Sequence, residues 1–310
     1  MKQFLTITIV FILSIHTSFA QGVLKEPVQI IFDTDMGGDY DDVGAITELH
    51  ALADSGYANI LATVASVKYE GVAGVINVLN TYFKRPDMLI GVPKGNALTT
   101  KDWQHWTDTL LARYPHSIKN NNDVPDAVTI YRKVLASQPD TSVTIVTVGF
   151  LTNLANLLAS GPDEYSPLPG KELIKQKVKL LVSMAGKFPS GREYNVFSDS
   201  AASKIVYENW SAPVLFDGFE IGEKIKSGLP LIKSESIKNS PVKDVFSLCI
   251  PKSKDDADGR MSWDEIAVLV AIKGYQPWFT LQNGKIVVDE SGSNSWDNNG
   301  SGQFYLVFSQ

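Results

Sequence analysis

The chain is poor in cysteine: Cys249 is the only one among 310 residues. An intrachain disulfide is excluded. The thiol sits in the apolar run Phe246–Ile250, which reads as a buried, inert position. Runs of five like charges are also absent, and the balance of 28 Lys+Arg against 34 Asp+Glu leaves a net charge of −6. That sign removes any global electrostatic attraction to nucleic acid or anionic lipid. No internal repeat and no Pro- or Gly-rich linker divides the sequence. With 44% hydrophobic and 20% charged residues, the composition excludes a disordered, fibrous or polytopic membrane protein.

The one apolar run near the start, Phe4–Ile15, has 12 residues, too few for a comfortable membrane span. Lys2 precedes it and Ser18-Phe19-Ala20 follows it, so residues 1–20 read as a signal peptide cut after Ala20. The sequence thus predicts a secreted or periplasmic protein, with residues 21–310 as one domain and no stable membrane association after cleavage.

Strand and helix patterns then alternate. Val28–Phe32, Asn59–Val64, Met88–Val92, Val143–Val148, Val178–Met184 and Pro213–Phe216 read as strands. Helical spacing recurs from Val43 to Leu52, Val72 to Phe83, Ala127 to Ala136, Asn153 to Ala159, Ala201 to Tyr207 and Ile266 to Ile272. This order predicts an α/β fold with a mostly parallel open sheet and helices on both faces. The polar, aromatic stretch 96–123 reads as a lid insertion, and Gly284–Phe308 as β-rich C-terminal decoration. Ligands of such sheets lie beyond the carboxyl ends of the strands.

Directly after the first strand come five aspartates in ten residues, Asp33, Asp35, Asp39, Asp41 and Asp42. So many anions at a buried strand end would repel strongly without a cation; the alternative is a solvated turn with Asp41 or Asp42 as helix cap. Hard carboxylate oxygens favour Ca²⁺ or Mg²⁺ over zinc. An EF-hand loop is excluded, because the twelfth position from Asp33 is Gly44 rather than Glu. A haloacid-dehalogenase-type phosphatase wants Thr or Val where this chain has Gly37.

The run resembles the signature Asp-x-Asp-x-Gly-x-Asp-Asp of the inosine–uridine-preferring nucleoside hydrolases, with two extra residues before Asp41-Asp42. Later segments follow that family in order: Val148-Gly149-Phe150-Leu151-Thr152-Asn153, Met184-Ala185-Gly186, Glu193-Tyr194-Asn195, Asp199-Ser200-Ala201-Ala202 and Trp263-Asp264. The resemblance implies one Ca²⁺ held by Asp35, Asp42, Asp264 and the main-chain carbonyl of Val148. It implies Asp35 as the catalytic base, and Asp41, Glu193 and Asn195 as contacts to the ribose hydroxyls of a small nucleoside. The implied reaction is hydrolysis of the N-glycosidic bond of ribonucleosides.

Three departures stand out. Ser66-Val67 replaces the family's Gly-Asn, the Asn near Met-Gly-Gly is missing, and Trp263 stands where a His is frequent. Trp263 implies a purine preference by stacking, with Trp103 or Trp106 of the lid on the other face of the base. Two further readings stay open: a Ca²⁺-dependent nucleoside- or glycan-binding protein without turnover, and a same-fold hydrolase of another glycoside. Self-association into a homo-oligomer is not decided by the sequence.

Overall fold

A computed structural model describes residues 26–309. The expected signal peptide lies outside the described residues. In chain order the elements are β1 (Val28–Thr34), α1 (Asp41–Asp54), β2 (Ala58–Ala65), α2 (Val72–Tyr82), β3 (Ile90–Gly91), α3 (Trp106–Arg113), α4 (Ala127–Ser137), β4 (Val143–Thr147), α5 (Thr152–Ala159), α6 (Gly170–Lys177), β5 (Val178–Met184), β6 (Ser190–Arg192), α7 (Tyr194–Ser198), α8 (Ser200–Asn209), β7 (Val214–Asp217), α9 (Phe219–Gly222), β8 (Lys226–Ser227), α10 (Leu229–Lys233), α11 (Pro241–Cys249), β9 (Arg260–Met261), α12 (Trp263–Lys273), β10 (Phe279–Val288), β11 (Ser293–Asp297) and β12 (Gln303–Phe308).

The main sheet runs in the order β3-β2-β1-β4-β5-β7-β12-β10-β11-β6. From β3 to β12 every pairing is parallel. The remaining three pairings are antiparallel. The C-terminal segment is β-rich as expected, forming β10 to β12, and β12 inserts beside β7 and extends the sheet. On β1 the side chains alternate between two cores. Ile30 and Phe32 pack with α1, α2, α11 and α12; Ile31 packs with α4, α5, α6 and α8. Burial on both faces is what a continuous apolar run such as Ile30–Phe32 encodes. Among the described residues, no helix is long and apolar enough to cross a membrane.

From β1 the chain moves to β2 on one side, while β4 adds on the other. That reversal opens a crevice at the carboxyl ends of β1 and β4. Hydrogen bonding persists past the strand ends there: Val148 N–H donates to the Asp33 carbonyl at 2.8 Å and Ser66 N–H to the Thr34 carbonyl at 2.8 Å. Gly149 permits this approach, since a Cβ at that position would stand 2.5 Å from the Asp35 backbone nitrogen and 2.6 Å from the Ser66 hydroxyl. Backbone cannot retreat as a flexible side chain can. Gly149→Ala is expected to cost about 1–3 kcal/mol of stability by overpacking, read as a lower urea midpoint; an unchanged midpoint means the two loops are free to part.

The segment 96–123 carries α3, which packs on α2 and α11. Asn121 fastens its end by donating to the Tyr69 carbonyl at 2.9 Å. The lone cysteine is buried, and burial pushes its thiol up to about 12.

His50 on α1 is structural. It is fully buried, bonds Asn80 at 2.9 Å, takes a bond from Arg85 at 3.2 Å and stacks on Phe83. Burial pushes the imidazole down to about 4. Its folded pKa thus lies below the unfolded value of about 6.5. The neutral ring contributes fully above pH ~6.5, and that contribution is lost as pH falls towards 4, up to about 3 kcal/mol. The difference in unfolding free energy between wild type and His50→Gln is expected to shrink over that window. A constant difference from pH 7.5 to 4.5 would mean that His50 titrates normally.

Candidate metal and active site

The loop after β1 is shaped by short-range bonds. Met36 N–H donates to the Thr34 hydroxyl at 3.0 Å, and that hydroxyl donates in turn to one carboxylate oxygen of Asp42. Gly38 N–H closes a turn onto the Asp35 carbonyl at 3.1 Å. Gly37 holds φ at +119°, and a Cβ there would strike the Tyr69 ring at 2.6 Å. Glycine is required on both counts. Asp41 and Asp42 then occupy the first turn of α1, where the helix N-terminus favours negative charge.

One of the five aspartates leaves the group. Asp33 accepts from Tyr131 Oη at 2.7 Å and from Asn153 Nδ2 at 3.0 Å, inside the core. Burial pushes its pKa up to about 7. The Asn153 that the motif places after β4 therefore serves the sheet rather than the pocket.

The other four meet Asp264 of α12. Burial, followed by the charges of neighbouring aspartates, raises the pKa values of Asp35, Asp42 and Asp264 well above the usual carboxylate range. Asp41 differs. Burial opposes its charge, but the Arg260 guanidinium, which also donates hydrogen bonds to it, outweighs burial, so the pKa falls. Arg260 reaches Asp41 Oδ1 through Nη2 at 2.7 Å and Nε at 3.2 Å, and Nη2 also meets Asp39.

Carboxylate oxygens of Asp39, Asp41 and Asp264 lie within 4.8 Å of one another. This grouping differs from the expected trio of Asp35, Asp42 and Asp264, with only Asp264 common to both. Arg260 accounts for it by gathering Asp39 and Asp41 onto one fork. The donor set still fits a hard cation. Every available ligand is an oxygen, and Asp42 Oδ2 is buried without a hydrogen-bond partner.

A pocket of about 480 Å³ opens over this cluster, and Asp35, Asp39, Asp41, Val148, Glu193, Asn195, Arg260, Trp263 and Asp264 all line it. Val148 presents its carbonyl, which accepts Asn195 Nδ2 at 3.0 Å; the second lone pair stays free. Asn195 also donates to the Met184 carbonyl at 3.1 Å. The Glu193 carboxylate caps α7, accepting from Asn195 N–H at 2.7 Å and Val196 N–H at 3.2 Å, and it also accepts from Gly186 N–H at 3.0 Å. Burial raises it to about 7. Both residues reach the pocket, with much of their bonding capacity used on backbone.

The aromatic expectations divide. Trp263 lines the pocket, fixed by its indole N–H donating to the Phe219 carbonyl at 2.8 Å and by ring contact with Phe219 at 5.2 Å. Trp106 is fully buried in the core beside α2 and does not line the pocket, which corrects its assignment to base stacking. Its apolar bulk was spent on anchoring α3. Trp103 is 64% exposed and lies outside the pocket wall. Sequence reasoning passed over Tyr194, Phe197, Phe219 and Asp256, which do line it. Phe219 had a usable signal, since it follows the end of β7.

Solved structures share this arrangement of elements. A purine-preferring ribonucleoside hydrolase from Gardnerella vaginalis is 18% identical, with a TM-score of 0.70 over 90% of this chain and 93% of that one. An inosine-uridine preferring nucleoside hydrolase from Bacillus anthracis is 14% identical, with a TM-score of 0.68 over 91% and 95%. A plant nucleoside hydrolase is 19% identical, with a TM-score of 0.67 over 91% and 94%. At these identities the likeness speaks to the fold alone. No curated protein sequence matches the chain. The family described as inosine-uridine preferring nucleoside hydrolase matches residues 30–303. With strand order, acidic crevice and this match in agreement, the chain belongs to the inosine-uridine preferring nucleoside hydrolase family.

Proposed function

We propose that this protein hydrolyses the N-glycosidic bond of ribonucleosides with the help of one Ca²⁺, and that the leader over residues 1–20 exports it. The observation carrying the reading is the set of buried carboxylates, short of counter-charge, at the crevice between β1 and β4. Asp35, Asp42, Asp264 and the Val148 carbonyl would hold the ion. When bound, Ca²⁺ would lower the pKa of a ligand water and orient the sugar hydroxyls. Asp35 takes the proton from the attacking water. Asp41, steadied by Arg260, accepts a ribose hydroxyl. The surrounding carboxylates oppose the positive charge that grows on the sugar as the base departs.

Reducing-sugar release from a panel of nucleosides, with and without chelator, tests this. Release is expected with calcium and is expected to stop on chelation. Asp35→Ala is expected to stay folded and to lose at least about 10³-fold in turnover, since base and ligand go together. Nucleoside binding without release would assign the protein to binding instead. Release from another glycoside alone would assign a different substrate, a reading favoured by the backbone bonds that occupy Glu193 and Asn195.

The leaving group meets the wall made by Trp263 and Phe219. An indole cannot protonate a base at neutral pH, so the departing base takes its proton from solvent and Trp263 acts by stacking, which favours the wider purine. Such a stack is worth roughly 0.5–1.5 kcal/mol beyond area burial, up to about tenfold. Inosine is expected to exceed uridine in kcat/KM, and Trp263→Ala to narrow that gap. Equal rates in wild type, or an equal loss for both substrates, would refute the stacking role.

A further inference from the structure

The two extra residues in the β1–α1 loop bring Asp39 to the cluster, and β9 brings a partner for it. Arg260 is 8% exposed. Its Nη2 meets Asp39 and, at 2.7 Å, Asp41 Oδ1. Nη1 stands 3.7 Å from Asp256 Oδ1, a buried oxygen with no hydrogen-bond partner, and the other Asp256 oxygen accepts from Tyr40 Oη at 2.8 Å. The guanidinium carbon lies 4.9 Å from the Tyr40 ring centroid and 5.1 Å from that of Trp263. The cation is thus caged by three carboxylates and two aromatic rings.

Without Arg260, Asp39, Asp41 and Asp264 would present three carboxylate oxygens within 4.8 Å of one another. That is an oxygen set a second divalent ion could use. We infer that Arg260 is the resident cation of this half of the cluster and limits the pocket to a single divalent ion. The inference rests on the metal reading above. The fork occupies lone pairs that a metal would need, with Asp41 Oδ1 accepting twice. A guanidinium remains charged at any working pH, so it does not vacate the position as lysine can. Asp264 is left to the other half, with Asp35 and Asp42. Asp39 is accordingly a partner of Arg260 and no ligand of the catalytic ion.

Calcium titration calorimetry on the chelator-stripped full chain tests this without reference to turnover. Wild type is expected to bind one ion per chain, Arg260→Met two, and the double variant Asp39→Asn/Arg260→Met one again. Asp39→Asn alone is expected still to bind one ion, because Asp39 supplies no bond to it. No ion in wild type overturns the metal reading itself. One ion in both wild type and a folded Arg260→Met overturns only the role of Arg260, as do two ions in wild type. Should Arg260→Met fail to fold, crystals of wild type grown with calcium decide: an Asp39 oxygen within about 2.6 Å of the ion makes Asp39 a ligand and refutes the inference, and Asp39 still joined to Arg260 away from the ion supports it.

Discussion

Like charges confined at the end of a buried strand govern this structure. Two carboxylates about 5 Å apart repel by roughly 3 kcal/mol at an effective dielectric of about 20, and the crevice holds several such pairs. Each neighbouring feature reduces that cost. Asp33 turns into the core against Tyr131 and Asn153. Thr34 donates to Asp42. The N-terminus of α1 receives Asp41 and Asp42, and Arg260 covers Asp39 and Asp41. Asp35, Asp42 and Asp264 make no ion pair among the described residues, and their charge is the binding energy offered to a cation.

Topology delivers the acids to one place. The chain reverses direction across the sheet at β1, so the loops after β1 and β4 face each other. Gly149 lets those loops touch. The N-terminus of α12 brings Asp264 from a distant part of the sequence, and its packing on α1 fixes the approach. Glu193 and Asn195 hold the α7 turn against β4 and β5, shaping the pocket floor as much as facing it.

The parts legible in the sequence are those whose burial is uniform. β1, β4 and β5 are largely buried on both faces and read as mostly apolar runs. The short helices α9 and α10 escaped detection because neither is long enough to set up a period. The place of β12 was hidden for a different reason: its partner β7 lies far away in sequence. At the site, Asp35, Asp41, Val148, Glu193, Asn195, Trp263 and Asp264 line the pocket, whereas Asp42, Trp103 and Trp106 do not; an aromatic in a polar segment reads equally as a ligand platform or an anchor. The Asp39–Arg260 pair is separated by about 220 residues, and no local pattern marks it. The preference of Arg260 for Asp41 also explains why the closest carboxylate trio is not the one the motif implies.

The central claim is that the divided acidic cluster holds one cation in its Asp35–Asp42–Asp264 half. Anomalous diffraction from crystals grown with calcium tests it most directly. One peak is expected, about 2.3–2.6 Å from oxygens of Asp35, Asp42, Asp264 and the Val148 carbonyl, with Arg260 still joined to Asp39 and Asp41. A peak bound by Asp39 and Asp41 with Arg260 displaced, or no peak at saturating calcium, would contradict it.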